Sequence, residues 1–169
     1  MKALLLSFLG LLVLFGCKPK QSFDVLIKNG QIMDGLGNAA YTGDVGILAD
    51  SIAAIGDLSE AHGDIEIDAS GLVVAPGFIN MLSWAVDALI EDGKSQSDIR
   101  QGVTLEVFGE GSSMGPLNEE MKKEEKENQG DIKYPISWTT LSEYLDFIVR
   151  KGVAPNVASF VGATTLRVH

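Results

Sequence analysis

The sequence predicts an α/β protein in two parts, a small β-sheet or half-sandwich followed by strand–helix units around a parallel sheet. Three observations carry that expectation. Residues 23–75 run in short alternating apolar and polar stretches, broken by glycine and asparagine turns, with no helical period. After Pro76, strand-like stretches alternate with helix-like ones. Finally, residues 140–152 form a complete helix motif, with Thr140 and Glu143 spaced as a capping box and Gly152 as the stop.

Taken in order, FDVLIKNG places Phe23, Val25 and Ile27 on alternate positions, and Asn29-Gly30 is the residue pair favoured in a two-residue hairpin. QIMDGLGN continues it and turns again at Asp34-Gly35 and Gly37-Asn38. GDVGILAD and SIAAIGD are two more strands, joined tightly through Asp50-Ser51. DIEIDASGLVVAPGF adds Ile65 and Ile67, a turn at Ser70-Gly71 and an apolar run. In the second part, SQSDIRQ reads as a short helix stopped by Gly102, VTLEVFG as a strand, and PLNEEMKKEEKENQ as a polar, solvated helix or loop. In the helix after Thr140, Leu141, Tyr144, Leu145, Ile148 and Val149 share one face. NVASFVG is the next buried strand.

Ahead of this lies a leader. Lys2 precedes the unbroken apolar and small-residue run 3–16, which is short of the about 20 residues that a membrane span needs. A positive start, a short apolar stretch and a small residue before the cut read as a secretory signal peptide over residues 1–16. Leu14-Phe15-Gly16-Cys17 resembles the bacterial lipobox, which implies cleavage before Cys17 and lipidation of that residue. Cys17 is the only cysteine, so an intrachain disulfide is impossible. Residues 17–22 are then a polar tether, and the expectation is a membrane-anchored lipoprotein of a bacterial cell envelope. Lys18, where a retention signal would place aspartate, points to the outer membrane.

The formal charge of −10 argues against nucleic acid as a partner and against electrostatic adhesion to anionic lipid.

From Phe23 onward the chain resembles the N-terminal part of the amidohydrolase superfamily, in particular the N-acyl-D-amino-acid deacylases (D-aminoacylases). The stretches that carry the resemblance are FDVLIKNGQIMDGLGN, DVGILADSIAAIGDL, IDASGLVVAPGFIN, SDIRQGVT and NVASFVGATTLR, in that order. The resemblance implies a metal-dependent (β/α)₈ TIM barrel starting at residue 76, carrying a small β-sandwich of which residues 23–75 form a portion. It also implies hydrolysis of the amide bond of a small N-acyl amino acid. Residues 76–169 hold about three strand–helix units, whereas a closed barrel takes roughly 250 residues. The expectation is therefore the front part of a longer protein, inactive alone.

The chain departs from the family where metal would bind. Its paired histidines fall on Leu82 and Trp84, and the preceding aspartate on Asn80. A cysteine ligand in the family's turn after the second barrel strand falls on Glu110, in FGEGSSMGPL. A carboxylate binds zinc and, being harder than a thiolate, also suits manganese or magnesium. Glu110 is thus the candidate ligand of a single divalent metal, set against a plain reading as a solvated loop glutamate. Glu106, on the strand itself, is expected to sit in a structural ion pair if buried. Arg167 is the candidate substrate-binding residue, able to hold a carboxylate bidentately, or is structural at a strand end. Ala163 stands where many of the family have histidine. His62 and His169 have no metal-ligand spacing to other groups. Two functions remain open: a metal-dependent amidohydrolase, or a non-catalytic anchored binding module on the same fold.

Overall fold

A computed structural model describes residues 20–169; the leader and Cys17 lie outside the described residues. The described chain divides into two compact units between Pro76 and Gly77.

The first unit is one sheet of five strands: β1 (Ser22–Ile32), β2 (Tyr41–Leu48), β3 (Ser51–Gly56), β4 (His62–Asp68) and β5 (Val73–Val74). Its order is β3-β2-β1-β4, with β5 beside β1. β1 pairs antiparallel with β2 but parallel with β4 and β5. Phe23 and Leu26 are buried together with Leu58 and form a small core on the sheet. A row of apolar side chains crosses the sheet in register, Ile52–Ile47–Val25–Ile65. Of these, Ile52 and Ile65 are largely exposed, so the unit has the form of half a sandwich.

The expected hairpin at Asn29-Gly30 is not there. β1 runs straight through the pair, with a register shift between Ile27 and Gly30 that marks a bulge. Asn29 takes a left-handed φ of 61° that asparagine tolerates, and its N–H donates to Asp44 Oδ1 at 2.8 Å. Buried Asp44 also accepts from the Leu58 N–H at 2.8 Å, so one carboxylate fastens both the bulge and the segment after β3. The chain reverses instead around Asp34, whose carboxylate accepts from the Leu36 N–H and from Asn38 Nδ2. These hydrogen bonds hold the Asp34 carboxyl below its ordinary range. The β2–β3 turn is Ala49-Asp50, one residue earlier than expected, because Leu48 and Ser51 pair with each other.

The second unit has a three-stranded parallel sheet, β6 (Phe78–Asn80), β7 (Val103–Phe108) and β8 (Asn156–Ser159), in sequence order. The β6–β7 connection carries α1 (Val86–Glu91) and α2 (Gln96–Ile99), and the β7–β8 connection carries α3 (Glu119–Asn128) and α4 (Leu141–Lys151). Parallel strands with helical crossovers are the βα units that the sequence predicts. α1 went unforeseen. The polar run is indeed a helix, α3, with no buried residue and with its N-terminus capped by Asn118. α4 has the complete capping box, Thr140 Oγ1 accepting from the Glu143 N–H and Glu143 accepting from the Thr140 N–H at 2.9 Å. Tyr144 and Ile148 are buried as expected, but Val149 is 77 % exposed, and Phe147 packs inward in its place.

The core of this unit is Ile90, Met114, Leu117, Tyr134, Trp138, Tyr144 and Ile148. Trp138 lies 5.2 Å from Tyr144 and 5.0 Å from Phe147 between ring centroids, the tilted geometry that aromatic quadrupoles favour. β8 ends at Ser159, and GATTLR, expected at a strand end, forms a short helix, α5 (Ala163–Val168), preceded by Gly162. Arg167 therefore sits on a helix.

Replacing Thr140 by alanine leaves a first-turn N–H without its acceptor and is expected to cost about 1 kcal/mol, read as a lower urea midpoint with unchanged slope.

Candidate active site

In a parallel sheet the functional groups gather where the strands end, because the following loops converge there. β6 ends in Met81–Trp84, β7 in Gly109–Ser113 and β8 in Phe160–Gly162. Backbone and hydroxyl bonds staple these loops together. The Ser83 N–H donates to Val107 O at 3.0 Å, the Phe160 N–H to Phe108 O at 2.9 Å and the Thr164 N–H to Gly111 O at 2.9 Å. Ser113 adds two links, accepting from the Gly162 N–H on Oγ and donating its own N–H to Thr165 Oγ1. Gly109 makes this closeness possible: with φ of 89° its backbone passes so near Phe160 O that a Cβ could not fit.

The sequence-predicted residues lie here, but not as a cluster. Glu110 is exposed in the loop after β7 and makes no ion pair or side-chain hydrogen bond among the described residues. Leu82 and Trp84 are 50 % and 73 % exposed. Arg167 is exposed on α5. His62 belongs to the first unit, where it opens β4 and pairs with Glu66 at 3.2 Å. Among the described residues no three of His, Cys, Asp and Glu come together as metal ligands. The donors needed to hold a metal are thus not supplied by this stretch; it offers Glu110 as one candidate ligand.

Glu106 is the residue whose surroundings the sequence concealed. It is fully buried, yet among the described residues it has no ion-pair partner. Instead Ser83 Oγ donates to Oε2 at 2.7 Å and Ser95 Oγ donates to Oε1 at 2.8 Å. Each carboxylate oxygen thereby has a hydroxyl, which offsets part of the desolvation cost. Ser95 is spent on this contact. It precedes α2 with left-handed φ and ψ of 42° and 47° and makes no capping bond. A glutamate in an otherwise apolar strand was a visible signal; its serine partners, 23 and 11 residues away, were not.

Beside the ends of β7 and β8 is a cavity of about 440 Å³. Trp84, Met121, Asp87, Glu124, Glu125 and Tyr144 are among its lining residues. Tyr134 donates its hydroxyl to Asp87 Oδ1 at 2.7 Å. Burial and then that bond raise the Tyr134 pKa, and burial followed by the charges of Asp87 and Glu106 raises that of Tyr144.

No family model matches the chain. D-aminoacylase of Alcaligenes xylosoxydans xylosoxydans is 36 % identical over 151 residues, which cover 87 % of this chain and 30 % of that enzyme. A D-aminoacylase structure concerned with a binuclear metal centre, with one-metal activation and second-metal attenuation, superposes with a TM-score of 0.72 at 32 % identity, covering 86 % of this chain and 31 % of that one. N-acyl-D-glutamate deacylase from Bordetella bronchiseptica, solved with zinc and a phosphonate inhibitor, gives a TM-score of 0.72 at 29 % identity, over 87 % and 31 %. The chain spans about 30 % of the length of the relatives it matches.

Replacing Glu106 by alanine leaves two hydroxyls unpaired beside a void and is expected to cost about 3 kcal/mol. Glu106→Gln keeps the shape and one acceptor and should cost about 1 kcal/mol. A Glu106→Ala urea midpoint equal to that of the wild type would show that the hydroxyl contacts contribute nothing.

Proposed function

Because this chain is homologous to the D-aminoacylases and N-acyl-D-glutamate deacylases of the amidohydrolase superfamily, with the same α/β fold over about 30 % of their length, we propose that it is the N-terminal part of a metal-dependent amidohydrolase. The complete protein hydrolyses the amide bond of N-acyl-D-amino acids or related N-acyl substrates. The match over 151 residues carries this reading, since it spans both units. The exposed apolar row of the first sheet supports a chain that continues, because such a face ordinarily lies under a second layer.

In this reading Glu110 is the one metal ligand that the described stretch provides, and the other donors come from the remainder of the relatives' length. A bound divalent metal, zinc first and manganese or magnesium next, supplies Lewis acidity toward a carbonyl and a water that ionises near neutral pH. The chain's own residues do the positioning. Gly109 and the Ser113–Thr165 links hold the Glu110 loop against the end of β8. Glu106 holds the loop after β6 through Ser83. Arg167, exposed and on α5, is available to a substrate carboxylate. The 169 residues alone are then inactive.

One observation favours a second reading. Leu82 and Trp84 stand exposed where the family places metal-binding histidines, which suits a non-catalytic binding module on the same fold. A metal assay of the complete protein separates the two. Wild type is expected to retain about one divalent metal and to release free D-amino acid from N-acetyl-D-amino acids. Glu110→Ala should weaken metal retention at least about tenfold. Unchanged metal content and activity in that variant end the ligand assignment, and no metal in wild type favours the binding module.

Residues 1–16 serve in this proposal as a signal peptide and Cys17 as the lipidated anchor residue, with the protein facing the periplasm from the outer membrane. Two or more acyl chains hold far more firmly than one. Cys17→Ser is therefore expected to move the protein from the membrane fraction to the soluble fraction; a variant that stays with the membrane rejects the anchor.

A further inference from the structure

The cavity beside the ends of β7 and β8 has a composition that the proposed hydrolysis does not explain. Asp87, Glu124 and Glu125 all line it, and among the described residues no lysine, arginine or histidine does. The three come from two helices, α1 and α3, so they are not simply one solvated helix face. Glu125 is exposed, but partial desolvation beside the cavity, and then the charges of Asp87 and Glu124, hold its carboxyl above the ordinary range. Apolar walls stand around the carboxylates, with Trp84 and Met121 among them.

A second observation points to a ligand. Tyr144 also lines the cavity and is 0 % exposed, yet its hydroxyl has no hydrogen-bond partner among the described residues. A buried, unpaired hydroxyl costs free energy, and a donor brought by a ligand would recover it. The Asp87 carboxylate accepts on Oδ1 from Tyr134, which leaves Oδ2 for a ligand. An acidic, cation-free wall with an unpaired acceptor and apolar surroundings matches one kind of molecule.

We propose that this cavity binds a small organic cation, an ammonium or guanidinium on an apolar stem, with the charge at Asp87 and Glu125 and the stem against Trp84 and Met121. Two sources fit that chemistry: a free amine, or the basic side chain of an N-acyl-D-amino acid. The second source rests on the amidohydrolase reading.

The test is calorimetric titration of the complete protein with butylamine, N-acetyl-D-lysine, N-acetyl-D-leucine and N-acetyl-D-glutamate. N-acetyl-D-lysine is expected to bind at least about tenfold more tightly than the leucine compound, one charge-assisted contact being worth that much. The glutamate compound should bind most weakly. The double variant Glu124→Gln/Glu125→Gln, on an exposed helix face, should lose the tenfold preference. Asp87→Asn, which keeps an acceptor for Tyr134, should lose it as well. Butylamine binding as tightly as N-acetyl-D-lysine identifies a free cation as the ligand, whereas tighter binding and turnover of N-acetyl-D-lysine identify the substrate side chain. Equal affinities for the three N-acetyl compounds, no binding of either cation, or a preference that survives in both variants overturns the proposal. A preference for the cation without any hydrolysis rejects the catalytic reading and leaves this one standing.

Discussion

Glu106 is the constraint on which the arrangement of the strand ends depends. A fully buried carboxylate is tolerated only where its oxygens are hydrogen-bonded. Here the two donors come from two loops of the β6–β7 connection, Ser83 before α1 and Ser95 between α1 and α2. Satisfying Glu106 therefore fixes two points of that one connection against β7 at once. The arrangement reaches further through Ser83, whose N–H is bonded to Val107 O and whose Oγ accepts from the Ala85 N–H. Hence the loop that presents Leu82 and Trp84 is held by the residue between them, while both side chains are largely exposed, Trp84 at the edge of the cavity.

The loop after β7 is held by a different means. Gly109 lets the backbone touch the end of β8, and Ser113 and Thr165 bridge the loop to α5. Glu110 is the exposed point of an otherwise braced segment. A side chain so placed loses little when it meets an incoming ligand, because its backbone is already ordered. That is the physical case for Glu110 as a donor in the proposed enzyme, and it holds even though no second ligand stands nearby among the described residues.

Both sheets leave apolar surface in solvent. In the first unit these are Ile52 and Ile65 at the ends of the apolar row, and in the second Phe78 and Ile79 of β6 are 64 % and 54 % exposed. Parallel sheets are ordinarily covered on both faces, and half-sandwiches on their inner one. The chain superposes on enzymes about three times its length, in which further chain is available to cover such faces.

What the sequence by itself determined was everything written in neighbouring residues. The parallel βα units, the Thr140–Glu143 capping box and the stop at Gly152 depend on local backbone preference and periodicity, and the folded chain shows each of them. Glu110's place on the loop after β7 was legible for the same reason. Tertiary structure decided the rest. Asn29-Gly30 has the local chemistry of a hairpin, yet distant Asp44 and the parallel pairing of β1 with β4 draw it into a bulge. GATTLR reads as a strand end, but it coils into α5, where Thr165 meets Ser113 across 52 residues. The partners of Glu106 and the acidic cavity are likewise assembled from segments far apart in the chain. Such contacts have no local pattern, since they exist only after loop closure has brought the segments together.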